Sequence, residues 1–75
     1  MEQSERKTLT LDEDPGLERR QEIVALLEWE PGIQRAWFEH DDPRRLHVEC
    51  DPTRFSEATL IDFVDRHGVH ARVAE

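Results

Sequence analysis

Asp12-Glu13-Asp14 puts three carboxylates side by side. Carboxylate oxygens of this kind suit a hard divalent ion such as Mg²⁺, Ca²⁺ or Mn²⁺. The spacing is not that of an EF-hand loop. The same residues also make an ordinary solvated acidic turn, with Asp14 capping the helix that follows. His47 and His70 form a second set. Imidazoles bind borderline metals, and two of them on a shared sheet face converge if the strand register agrees. Glu49 and Thr10 join them by location alone, and the plainer expectation is two exposed histidines. His40 with Asp41 and Asp42 fits a polar turn better than an ion site. Cys50 is a nucleophile or ligand only if exposed and activated. Its alternation with Leu46 and Val48 points to a core position instead. Spacing alone supplies no Ser-His-Asp or Cys-His arrangement, and there is no glycine-rich phosphate loop, so catalysis has little support.

Trp37 carries a different chemistry. It stands beside Arg35 and is expected across from His47, and a large aromatic among Arg, His and Glu is a typical interface anchor. The alternative is a tryptophan folded under its neighbours for packing. Arg35, His47 and Arg72 complete the expected surface, and Trp29 adds to it from the helix side. Stacking of single-stranded nucleic acid on such a face is a further option, disfavoured by the single aromatic and the acidic charge.

These residues are positioned by six expected elements. Lys7 opens a strand in which Leu9 and Leu11 point in and Thr8 and Thr10 out. Asp14-Pro15 reads as the start of a helix over residues 17–30, with Leu17, Ile23, Val24 and Leu27 on its apolar face. Pro31-Gly32 ends it. A strand over residues 33–40 places Ala36 and Phe38 on one side and Arg35, Trp37 and Glu39 on the other. A turn at residues 41–44 leads to a strand over residues 45–50, making an antiparallel hairpin. Ser56 caps a second helix that runs to His67, with Leu60, Ile61 and Val64 inward. Gly68 stops it, and Val69, Ala71 and Val73 alternate with His70 and Arg72 in a last strand. The expected fold is therefore α+β, a ferredoxin-like βαββαβ sandwich with sheet order 4-1-3-2 and both helices on one face. Residues 1–6 are expected to be flexible, and residues 7–75 to form the single domain.

Seventy-five residues allow one thin core and no deep substrate cavity. Apolar residues make up 36% and charged residues 37%, which is polar for a globular domain but too patterned for disorder. The longest apolar run, Ile23-Val24-Ala25-Leu26-Leu27, is far shorter than a membrane span. No apolar signal region opens the chain, and one cysteine cannot pair internally, so the cytoplasm is the expected compartment. Eighteen acids against ten bases give a net charge of -8. That balance argues against nucleic acid and anionic membranes, and it suits a cationic partner or a cation.

Three stretches carry a resemblance. They are Leu26-Leu27-Glu28-Trp29-Glu30-Pro31-Gly32-Ile33, Leu46-His47-Val48-Glu49-Cys50-Asp51-Pro52, and the run from Leu60 through Gly68 to Ala71. Over residues 7–74 the chain resembles the heavy-metal-associated domain of copper chaperones and heavy-metal-pumping ATPases. The family holds a soft metal with a Cys-x-x-Cys pair in its first strand-to-helix loop. Counting back from Pro31-Gly32 puts those positions near Gly16 and Arg19, and neither is Cys. The resemblance thus implies the scaffold without its thiolate site, and a role linked to metal handling or transport. The expected function is a small non-catalytic interaction or regulatory module with a protein partner or a second copy of itself. A weak divalent ion at Asp12, Glu13, Asp14, His47 or His70 is the alternative, and a ligand-sensing regulatory domain that pairs around its effector is the third reading.

Overall fold

Alternation of apolar and polar residues builds the sheet, and two helices close one side of it. In this computed structural model, which describes residues 4–74, the elements are β1 (Glu5–Leu11), α1 (Leu17–Glu28), β2 (Ile33–Glu39), β3 (Asp42–Cys50), α2 (Glu57–Arg66) and β4 (Ala71–Val73). They make an α+β domain with one four-stranded antiparallel sheet, ordered β2-β3-β1-β4. Counted from the β4 edge, this reads 4-1-3-2. Leu9 and Leu11 of β1, with Leu46, Val48 and Cys50 of β3, form the sheet's half of the core. Ile23 and Leu27 of α1 and Leu60 and Val64 of α2 form the helical half, so both helices pack on the same side.

Several expected boundaries shift, each for a local reason. β1 begins at Glu5, because Glu5 and Arg6 already pair with Cys50 and Glu49 of β3. Residues 5 and 6 therefore belong to the domain and not to a flexible tail; residues 1–3 and Glu75 lie outside the described residues. Asp14 is not the helix cap. Gly16 holds that position with a φ of 86°, and the Asp14 carboxylate accepts the Gly16 amide at 2.9 Å and pairs with Arg20 at 3.1 Å. α1 stops at Glu28 rather than Glu30, ahead of Pro31. Leu17 is 64% exposed. At 100° per residue it lies about 100° around the helix from the Ile23–Leu27 side, in line with Val24.

The hairpin turn is His40-Asp41, and Asp42 and Pro43 belong to β3. Two irregularities mark β2. One sits between Ile33 and Arg35, the other between Phe38 and Glu39. The first inserts Gln34 and lets Ile33 and Ala36 both face the core, which strict alternation forbids. Gly32 makes the approach to this strand possible. Its φ is +95°, and a Cβ there would stand 2.9 Å from Arg54 Cδ. α2 has the expected Ser56 cap: its hydroxyl accepts the Thr59 amide at 3.2 Å while Thr59 Oγ1 accepts the Ser56 amide at 2.7 Å. β4 is shorter than expected. Val69 is buried ahead of the strand, and only residues 71–73 pair with β1.

Candidate functional site

The strands that bury leucine on one side must present their alternate residues on the other. The pairing arranges these in rows across the sheet. Arg35 of β2, Glu49 of β3 and Arg6 of β1 form the first row. Trp37, His47 and Thr8 form the second. Arg45, Thr10 and Arg72 of β4 form the third. Both helices pack on the far side of the sheet, so this face is left uncovered by them.

The middle row is tied together. The His47 ring stacks on the Trp37 indole with centroids 5.3 Å apart and planes 28° from parallel. The Arg35 guanidinium lies 4.8 Å from the Trp37 ring centroid, a cation–π contact. Thr8 Oγ1 is 3.1 Å from His47 Nδ1. Glu39 reaches the other ring nitrogen, Nε2, with its carboxylate. His47 is therefore not the exposed histidine expected of it. It is 9% accessible, with both ring nitrogens engaged. Trp37 is half-buried, whereas Trp29 is 89% exposed at the end of α1. Trp29 is the C-cap of α1 and does not join the Trp37 row. Arg35 and Arg72, like Arg6 and Arg45, are exposed.

His47 and His70 do not converge. His70 Nδ1 is 3.0 Å from Asp65 Oδ1 of α2, on the helical side of the sheet, while His47 is held on the open side. The two imidazoles are held by different partners, Asp65 for His70 and Thr8 with Glu39 for His47. His70 instead shares a cleft of about 330 Å³ with Asp12, Glu13, Asp14 and Arg19. Asp12 donates its amide to the His70 carbonyl at 3.0 Å. Arg19 fills the place where the resemblance puts the second cysteine. Its guanidinium donates to the His67 carbonyl at the end of α2 and to Glu22 at 3.0 Å. A fixed positive charge among no thiolates does not suit a cuprous ion. Among the described residues, no group of three or more His, Cys, Asp or Glu side chains is arranged to hold a metal ion.

Cys50 is fully buried, and burial pushes its thiol above the ordinary value. At neutral pH it stays protonated and packs as a small apolar group. His40 is exposed in the hairpin turn. His67 caps α2, with its ring 5.1 Å from that of Phe63.

Alternation places Arg45 on the side of His47 and Glu49, but the sequence does not single out Thr8 and Glu39 as the groups that hold His47, nor Arg6 as a member of the face. Their signal is the register, which becomes visible only when the strands are paired. No helix among the described residues is long and apolar enough to cross a membrane. Comparisons with protein-family models, curated proteins and solved structures give no match to this chain.

Proposed function

We propose that this chain is a small non-catalytic interaction module whose working surface is the open sheet face around Trp37. The reading takes the βαββαβ order as ferredoxin-like and the chain as a heavy-metal-associated-like domain without its thiolate pair. It places the domain in the cytoplasm on the single cysteine and the polar opening of the chain, and within or beside a metal-handling or transport system on the strength of the three resembling stretches. The observation that carries the interaction role is the Arg35–Trp37–His47 stack on a side of the sheet that neither helix covers. A half-buried indole held in one orientation is pre-organised, so little conformational freedom is lost when a partner covers it.

The test is differential retention. The immobilised domain, its Trp37→Ala variant and its Trp29→Ala variant are compared for the proteins they retain from an extract of the source cell. The reading expects one set of proteins held by the parent and by Trp29→Ala and lost from Trp37→Ala, with all three melting as folded domains. Equal retention by all three would count against this face.

A cation at the acidic loop is the second reading, favoured by the cleft that Asp12, Glu13 and Asp14 share with His70. The Arg19 guanidinium in the same cleft works against it. Selective Mn²⁺ broadening of the amide signals of residues 12–14 and 70 would support this version. Uniform spectra up to millimolar Mn²⁺ would remove it.

A further inference from the structure

Charge is segregated in this molecule. The open face carries Arg6, Arg35, Arg45 and Arg72 against Glu39 and Glu49. The chain as a whole stands at -8, so removing the face's excess of two positive charges leaves the remainder at -10. Elsewhere Arg19, Arg20 and Arg66 each pair with a carboxylate, while Arg44 and Arg54 have no ion pair among the described residues. Among the described residues, none of the four on the open face has an ion pair. That is unexpected where acids outnumber bases eighteen to ten.

Resting on the interaction reading above, we infer that the open face docks a short acidic polypeptide segment supplied by a partner protein. The geometry suits it. Arg35 and Arg6 flank one end of the face and Arg45 and Arg72 the other, each pair two strand spacings apart, about 9–10 Å. Arg6 and Thr10 are four residues apart along β1, so the two rows are separated by about 13 Å. An extended segment with Asp or Glu at alternate positions places carboxylates about 7 Å apart on one side, enough to meet guanidinium forks at both ends of the face. Between them stand Trp37, Thr8 and Thr10, each partly exposed.

Single-stranded nucleic acid is the competing polyanion, and two observations disfavour it. Bases need an open aromatic face on which to stack. The Trp37 ring already carries a guanidinium at 4.8 Å and an imidazole at 5.3 Å. A long polyphosphate would also run off the face onto the acidic remainder, whose repulsion reaches about 8–10 Å at ordinary salt. A short carboxylate segment stays within the footprint.

The test uses three labelled probes on the full chain, hexaglutamate, hexaglutamine and hexauridylate, read by fluorescence anisotropy at low and physiological salt. Hexaglutamate should bind saturably, weaken with salt and bind more tightly than hexauridylate, and hexaglutamine should not bind. Arg35→Gln/Arg45→Gln should weaken hexaglutamate about tenfold, as should Arg6→Gln/Arg72→Gln on the other strands. Arg54→Gln, at an exposed arginine in the loop beyond β3, should stay within twofold. Tighter binding of hexauridylate through the same arginines would overturn the partner class and leave the face standing. Hexaglutamate binding that ignores both double variants would overturn the face as its site. A mass that rises with concentration and is reset by either double variant would make the occupant a second copy and overturn the separate partner. If no probe binds while Trp37→Ala still loses its retained proteins, the acidic chemistry fails alone. If Trp37→Ala loses nothing either, the interaction reading fails with it.

Discussion

The two sides of this sheet are made by the same strands and obey different rules. On the covered side Leu9, Leu11, Leu46, Val48 and Cys50 have 0–1% of their surface exposed. Their burial against the helices accounts for them completely. On the open side the alternate residues include Arg6, Thr10, Arg45, Glu49 and Arg72, together with Thr8, Arg35, Trp37, Glu39 and His47, which are joined by stacking and by hydrogen bonds through His47. Packing explains the first set. It does not explain why arginines free of ion pairs among the described residues gather on the second in an acidic chain. The difference separates residues that make the fold from residues that are left available for contact.

Substitutions on the two sides of the sheet sharpen this contrast. Leu46→Ala, on the covered side, should cost about 2–5 kcal/mol in urea unfolding, through lost transfer energy and the cavity it leaves. Gly32→Ala should cost about 1–2 kcal/mol, from a left-handed φ and the collision with Arg54 and Phe55. It should also disturb the Gln34 irregularity that aims Arg35 and Trp37 outward, visible as amide shifts along β2. Trp37→Ala should cost about 1 kcal/mol, the scale of one aromatic stack and one cation–π contact. Arg45→Gln, next to Leu46 but on the open side, should stay within about 0.5 kcal/mol. An open-side loss as large as that of Leu46→Ala would erase the distinction.

Titration reads the same contrast more finely. Cys50, on the covered side, should resist a thiol reagent until the domain unfolds. Its thiol is raised in the fold by burial. The protonated form therefore stabilises fully below the unfolded thiol range, and that contribution falls away as pH rises through the higher folded value. Cys50→Ala should flatten this alkaline decline. Asp51, at the exit of β3, behaves in the opposite sense. Its carboxylate is held below the usual range by hydrogen bonds from the Thr53 hydroxyl and amide. Its contribution is present above the ordinary carboxylate range and lost as pH falls through the depressed value. Asp51→Asn should flatten the acid limb of stability against pH, and an unchanged limb would show that these hydrogen bonds contribute nothing.

Local pattern made the element order legible. Period-two alternation marks β1 and β3, Pro31-Gly32 ends α1, and Ser56 starts α2. What it missed at the start of α1 is geometric. Leu17 looks like core by type and sits outside by angle. Asp14-Pro15 has the composition of a cap, but Gly16 takes that place because the Asp14 carboxylate is turned to Arg20. The site was legible in the same degree. Trp37, Arg35 and Arg72 stand on the open face as alternation requires. His47 looked exposed because its neighbours in sequence say nothing of Thr8, 39 residues away in the chain, or of Glu39 across the hairpin. The arginines of the face come from all four strands, so no window of sequence gathers them.

The most direct measurement is an amide shift map of the ¹⁵N-labelled chain titrated with hexaglutamate. The account predicts changes concentrated at Arg6, Thr8, Thr10, Arg35, Trp37, Arg45, His47 and Arg72, with α1 and α2 nearly still. Changes confined to residues 12–19 and His70, or spread over the helices, would contradict it.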